Sequence, residues 1–383
     1  MRVALIDAGA YTPPYDDRLA AALAARGHDV TLLTAPFRFG DAPEPVGYRR
    51  EELFFPLSSG LFRRNPRSRA RVPLKGLEYV PSFRRARRRL EQLAPDVVHV
   101  QWLVRPDADL RWLRAVAAEW PVVFTAHNLA AMLSRRPEAW LRVLQVVDRV
   151  VVQSRRSGDQ LAELGVPRTR IVRIPHPVFE SGMPSGDGGR PGQTLLFFGL
   201  IRTYKGVDLL VRALQVMARD RPDVRLVVAG DPLDPVEPLK RLANELGVDE
   251  RIDWRLGFLP DDEVERVLAD ASVVVLPYRR WVDASGVLAL AVGHGLPIVA
   301  SDVGNLGETV EEFGAGEVVP PDDVAALAAA CVRLLSDDGR RDNAVRGALR
   351  AREALTWDAA ARRHEALYAE LVQERARPDD SLP

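Results

Sequence analysis

The stretch Thr194-Leu-Leu-Phe-Phe-Gly-Leu-Ile-Arg-Thr-Tyr-Lys-Gly-Val-Asp208 decides the fold class. Leu195 to Phe198 are apolar at consecutive positions, as in a strand buried on both faces. Gly199 permits a tight turn, and a helical pattern opens at Gly206 and runs to residue 219. Strand, glycine turn and helix in this order form the repeating unit of a helix-covered parallel sheet. Reading outward finds that unit again. Residues 225–229, 272–276 and 298–301 read as strands, and 235–246, 261–269 and 322–336 as helices. Upstream, strands at 3–7, 29–34, 97–100, 122–125 and 149–153 alternate with helices at 16–26, 107–119 and 136–147. Residues 181–193, Ser-Gly-Met-Pro-Ser-Gly-Asp-Gly-Gly-Arg-Pro-Gly-Gln, suit neither element and read as a linker. The chain therefore reads as two doubly wound α/β domains, 1–180 and 194–356, followed by a helix at 357–372 and a polar tail.

In open parallel sheets ligands bind beyond the carboxyl ends of the strands. Chemistry is accordingly expected just after Asp7, Thr125, Phe198, Ala229 and Leu276, and two such domains can face those ends across one cleft. The loop 199–206 carries the strongest signal. Arg202 and Lys205 stand three apart before a helix whose free N–H groups and dipole attract anions, which makes a phosphate or diphosphate site. The chain has three lysines (Lys75, Lys205 and Lys240) among 53 basic residues. Arginine serves wherever a generic cation suffices, so a retained Lys205 points to a need for a compact ammonium.

The remaining composition excludes several classes. Hydrophobic residues make up 47% of the 383, and charged residues 28%, as in a globular protein. One cysteine, Cys331, rules out an internal disulfide framework and a cysteine-rich zinc site, and its Ala/Leu-rich surroundings make it a core residue. No run reaches the roughly 18 apolar residues of a membrane span, and the N-terminus lacks a signal peptide's apolar core, so a cytoplasmic protein is expected. Lysine plus arginine equal aspartate plus glutamate at 53 each, yet residues 1–180 hold 29 basic and 19 acidic side chains, leaving the remainder acidic by the same margin. Residues 63–89 alone hold 11 basic residues against Glu78, with Leu61, Phe62, Leu74, Leu77, Tyr79, Val80 and Phe83 in and beside them. Such a segment suits an anionic membrane surface or a phosphate-bearing acceptor. No nucleic-acid recognition motif accompanies it, and no nucleic-acid partner is expected.

The sequence resembles a retaining glycosyltransferase of the GT-B fold, family 4. The resemblance is carried by Gly-Leu-Ile-Arg-Thr-Tyr-Lys-Gly-Val-Asp-Leu-Leu at 199–210, Leu-Val-Val-Ala-Gly-Asp at 226–231, Ala-Ser-Val-Val-Val-Leu-Pro-Tyr at 271–278 and Gly-Leu-Pro-Ile-Val-Ala-Ser-Asp-Val-Gly at 295–304. In the first half it rests on Arg-Gly-His-Asp-Val-Thr-Leu-Leu-Thr at 26–34, Pro-Asp-Val-Val-His-Val at 95–100 and Thr-Ala-His-Asn at 125–128. It implies two Rossmann-like domains, the second binding a nucleotide-diphosphate sugar and the first the acceptor, with 357–373 completing the first domain.

By this resemblance Arg202 and Lys205 hold the donor diphosphate, and His127 contacts the sugar or the departing phosphate. Gly9, Gly199, Asp231, Phe258, Leu259, Tyr278, Asp283, Ser285, Gly286 and Val287 join the donor site, and Tyr11, Tyr15 and Asp16 the acceptor site. Asp16 or Asp17 also reads as the N-cap of the first helix. His99 and His28 read as structural, and His294 and His364 as surface residues. Family members carry two glutamates eight positions apart before the Gly-x-Pro turn; here those positions are Val282 and Leu290. Asp283, one residue from the first, is the candidate substitute. No Asp-x-Asp stands where it would bridge a metal to the diphosphate, and no metal or other cofactor is expected. The missing glutamates leave open a binding protein that has lost activity, or a nucleotide-sugar epimerase on the same fold.

Overall fold

The computed structural model describes residues 1–37, 42, 44–63, 65, 68–179, 192–279 and 284–376. The chain divides into two compact units, Met1–Pro175 with the C-terminal stretch from Trp357, and His176–Thr356.

The first unit is built on a seven-stranded parallel sheet: β1 (Arg2–Asp7), β2 (Asp29–Thr34), β3 (Arg49–Glu52), β4 (Val97–Trp102), β5 (Val122–Thr125), β6 (Arg149–Val152) and β7 (Ile171–Arg173), in the order β3-β2-β1-β4-β5-β6-β7. The second carries β8 (Thr194–Phe198), β9 (Arg225–Gly230), β10 (Ile252–Leu256), β11 (Val273–Leu276), β12 (Ile298–Ser301) and β13 (Gly316–Val319), in the order β10-β9-β8-β11-β12-β13. In both sheets the direction of winding reverses at the first strand, between β1 and β4 and between β8 and β11. That switch point is where a doubly wound sheet opens a crevice beyond its strand ends.

Central strands are apolar because helices cover both faces. Leu5, Val98, Phe124, Leu196 and Val274 are all essentially inaccessible. The sequence passed over β3, β7, β10 and β13, which border the sheets. β3 reads Arg-Arg-Glu-Glu, and charged side chains are how an edge strand avoids pairing with a second chain. Cys331 is fully buried in the second unit's core, as expected.

Two further differences have local causes. The first helix, Pro13–Ala25, starts earlier than expected, so its N-cap is Thr12; Asp16 lies inside the first turn and neither aspartate caps it. Much of the basic segment lies on one helix, Arg71–Leu93, although Pro73, Gly76 and Pro81 argue against helix. Burial holds it: Phe83, Ala86 and Leu90 pack into the core. Glu78 turns inward and accepts the N–H groups of Leu57 and Ser58 at 2.7 and 2.8 Å, closing the start of the Pro56–Leu61 helix. The helix Trp357–Ala376 packs on the first unit, with Arg26 bridging to Asp358 and Glu365 and Arg149 to Glu370 and Glu374. His364, on the inner face of this helix, is fully buried, and only a small part of the His294 side chain is accessible beside Glu265. Neither is the surface residue that polarity alone suggested.

Candidate functional site

In the second unit the loop after β8 is fixed by glycines. Gly199 has φ +109°, and a Cβ there would stand 2.9 Å from Val287 Cγ2 and 3.2 Å from Lys205 Nζ. Gly206 has φ +71° and caps the Val207–Met217 helix; a Cβ on it would overlap the Pro277 carbonyl oxygen. Between them, Arg202 is exposed and Lys205 is buried. The Lys205 ammonium lies 5.1 Å from the centre of the Tyr278 ring. Among the described residues it has neither a hydrogen-bond acceptor nor a carboxylate. Burial, reinforced by Arg202, holds it below the usual lysine range. A buried cation without a counter-ion is costly unless a ligand supplies the charge.

The other expected donor residues lie on loops that follow the neighbouring strands. Tyr278 is buried, and burial pushes its hydroxyl up to about 12. Ser285 is buried and caps the Gly286–Gly293 helix, accepting Leu288 N–H at 3.2 Å, so its capping role is realised. Gly286 is exposed at that helix start and Val287 touches the space over Gly199. Asp231 lies after β9, its carbonyl accepting the Ile201 N–H at 2.9 Å. Beyond β10, Phe258 is 84% exposed while Leu259 is buried. Asp283 falls outside the described residues. Sequence reasoning missed Arg279, which grips Asp208 through two nitrogens at 2.6 Å and reaches Asp322 at 2.7 Å. It ties the end of β11 to the helix that starts at Val207. Its partner Asp208 was visible as a first-turn acid, but its direction was not.

In the first unit the loop after β1 wraps around a carboxylate. Asp7 is buried and accepts the N–H groups of Gly9, Tyr11 and Thr12 at 3.0, 2.6 and 3.2 Å. Gly9 is needed because the Tyr11 ring folds over it and a Cβ would collide with that ring. Asp16 is buried against Asp7 and takes a hydrogen bond from Thr12 Oγ1 at 3.2 Å. Burial and then the neighbouring Asp7 charge drive the Asp16 carboxyl well above its ordinary range. Tyr15 is buried too, and of the three expected acceptor residues only Tyr11, 48% exposed, offers substantial free surface.

His127 follows β5. Its ring stacks on Trp102 with centroids 5.1 Å apart and meets the edge of Tyr15 at 4.8 Å. Its Nε2 is 2.8 Å from Gln101 Oε1. Behind Gln101, His99 joins Tyr368 Oη at 2.6 Å and Thr125 Oγ1 at 2.7 Å, and burial keeps it neutral. His99 is structural, as expected. Gln101 and Trp102 were missed; only their place at the end of β4 could have marked them. Lys75 sits 4.4 Å over the Phe55 ring and is pulled down to about 8, chiefly by burial, while Asp109 is pushed up to about 7 for the same reason. No cluster of three or more His, Cys, Asp or Glu able to hold a metal occurs among the described residues.

Two family models match the chain: "Glycosyltransferase Family 4" over residues 17–180 and "Glycosyl transferases group 1" over residues 192–337. D-inositol 3-phosphate glycosyltransferase of Xylanimonas cellulosilytica is 32% identical over 317 residues, covering 73% of each chain. The chain belongs to glycosyltransferase family 4. The enzyme of the same name from Salinispora tropica is 30% identical, and the match spans 74% of this glycosyltransferase and 66% of the relative. Among solved structures, Anabaena HepE in complex with UDP superposes with a TM-score of 0.73 at 16% identity over 97% of this chain and all of that one. The fold of this glycosyltransferase is therefore GT-B, and its two sheets are the two Rossmann-like halves of that fold.

Proposed function

We propose that this glycosyltransferase moves a sugar from a nucleotide-diphosphate sugar to a hydroxyl acceptor, with retention of anomeric configuration and without a metal ion. The observation that carries this reading is the buried, unpartnered ammonium of Lys205 beside Arg202 at a helix start. Two cations and free helix N–H groups supply the charge that a diphosphate leaving group needs. The loops bearing Gly199, Asp231, Phe258, Leu259, Tyr278, Ser285, Gly286 and Val287 surround that position and are assigned to the donor. In the first unit, His127 is assigned contact with a substrate hydroxyl and Tyr11 with the acceptor. The resemblance of HepE, solved with UDP, makes a uridine diphosphate sugar the first donor to test.

The proposed retention calls for attack from the face the diphosphate leaves. The bond from the anomeric carbon to the phosphate oxygen breaks with its electron pair staying on phosphate. The acceptor oxygen bonds to that carbon on the same face, and its proton passes to the departing phosphate. The basic Arg71–Leu93 helix brings the protein to an anionic membrane surface at the cytoplasmic face. No helix among the described residues is long and apolar enough to cross a membrane.

A thermal-shift panel of UDP, GDP and ADP tests the donor assignment. A ligand held at about 100 times its dissociation constant adds about 2.7 kcal/mol of stability. The matching nucleotide should raise the melting temperature of the wild type and not of Lys205→Ala; a shift retained in the variant rejects this site. An inverted anomeric centre in the product rejects the proposed mechanism.

A further inference from the structure

We propose that the groove between the Arg71–Leu93 and Pro106–Ala117 helices is a binding site for the phosphate headgroup of an anionic membrane lipid. The proposal deepens the membrane contact proposed above by giving it a defined seat, and it does not depend on the transfer chemistry.

The groove encloses about 530 Å³. Its floor is aromatic: Tyr79 and Phe83 stand 4.7 Å apart, and Phe83 meets the edge of Trp112 at 5.3 Å. Its rim carries Arg84 and Arg88 from one helix and Arg111 from the other. All three are exposed, and among the described residues none has a carboxylate within ion-pair reach. The fourth arginine of the lining, Arg87, is already committed to Glu91, Glu119 and the Ala115 carbonyl, and lies 4.8 Å over Trp120. It holds the lining's one acid, Glu91, so the three free guanidinium groups face no competing charge. Planar guanidinium groups match phosphate geometry. In the same wall, the Tyr79 hydroxyl and the Trp112 Nε1–H are shielded from water and have no hydrogen-bond partner among the described residues.

The occupant follows from what lies next to the arginines. Leu77, Val80, Arg84 and Arg88 are spaced by three, four and four residues, so they share one helix face. That face is apolar in its first half and cationic in its second. Leu77 is 77% exposed and Val80 54%, and Val72 on the same helix is 70% exposed. Leu57 and Leu61 of the preceding helix are exposed as well. A lipid has the same order of parts: a chain for the apolar half and a phosphate for the arginine groove. A free phosphate or a nucleic acid would leave the apolar half unused.

The test is cosedimentation of the full chain with vesicles of phosphatidylglycerol and phosphatidylcholine in equal parts, against phosphatidylcholine alone, at physiological salt. The wild type should bind the first and not the second. Each arginine near an anionic surface contributes about fivefold in affinity, so Arg84→Gln/Arg111→Gln should weaken binding by more than about tenfold. Arg85→Gln removes an exposed charge from the same helix, outside the groove lining, and should cost distinctly less. Millimolar inorganic phosphate should not release the protein. Equal losses at Arg85 and at the groove pair would mean diffuse adsorption and would overturn the proposal. So would release by inorganic phosphate, binding to duplex DNA lost in the same groove variant, or no vesicle binding at all. All these variants change exposed side chains. The nucleotide thermal shift should survive in each, so failure here leaves the donor reading standing.

Discussion

Lys205 combines burial with an absence of partners, and its environment gives the prediction most directly tied to chemistry. Lys205→Ala should lower kcat/KM by about a hundredfold, or about 3 kcal/mol, as for loss of a placed charge at a transition state. Circular dichroism should be unchanged. Lys205→Arg should not restore the rate, because Val287 and the Gly199 backbone leave room for an ammonium and not for a fork. Burial lowers the Lys205 pKa in the free protein and a bound diphosphate should raise it again, so donor binding should be linked to proton uptake. Donor affinity should therefore fall as pH rises through the Lys205 titration, at a lower pH than for an exposed lysine. Calorimetry in buffers of different ionisation enthalpy would detect that proton uptake. Asp16 gives the opposite sign. Its folded carboxyl titrates well above the unfolded one, near 3.9. Its stabilising contribution is present below the unfolded pKa and is lost as pH rises through the folded one. Asp16→Asn keeps the hydrogen bond from Thr12 without the charge. Its melting temperature should gain on the wild type as pH rises from about 4; a constant difference would mean that the Asp16 carboxyl is not shifted upward by folding.

At the scale of elements, legibility followed burial. β1, β2, β5, β8 and β12 were readable because each has a mostly apolar, buried interior, the mark of a strand covered on both faces. β3 was not, because an edge strand of Arg-Arg-Glu-Glu carries no such mark. The Arg71–Leu93 helix was hidden by its prolines, and Glu78 bonding to Leu57 and Ser58 is a tertiary fact with no local signature. The donor-side loop was readable because glycines and cations lie within eight residues of one another. Gln101 and Arg279 act through partners distant in sequence and could not be read; the Asp7 nest is local, but the direction of its carboxylate was not legible. Gly206 tests the loop as an element. An alanine there must take φ +71° and also displace the Pro277 carbonyl. Gly206→Ala should cost at least about 2 kcal/mol and weaken nucleotide binding. An unchanged melting temperature would show that the loop adapts.

For the whole molecule, the zero net charge conceals a basic first 180 residues and an acidic remainder. If the acidic second part holds an anionic donor as proposed, Arg202 and Lys205 are local exceptions, and their positions carry more meaning than their charge. The chain ends are joined more tightly than sequence distance suggests. Trp357 packs 5.2 Å from Tyr15, which in turn meets His127 at 4.8 Å. Trp357→Ala should destabilise the first unit by about 3–5 kcal/mol. It should also lower activity while leaving the nucleotide shift of the second unit intact. Loss of both together would mean that the two units do not unfold independently.

The return of the last helix to the first unit also sets a timetable. A ribosome delivers residues 1–175 first, yet Tyr368 and Trp357, which seal that unit, come almost last. The intervening residues 176–356 make up an entire compact unit and are complete before the seal exists. The first unit should therefore finish folding after the second. Pulsed hydrogen exchange during refolding should show β8 to β13 protected before β4 and β5.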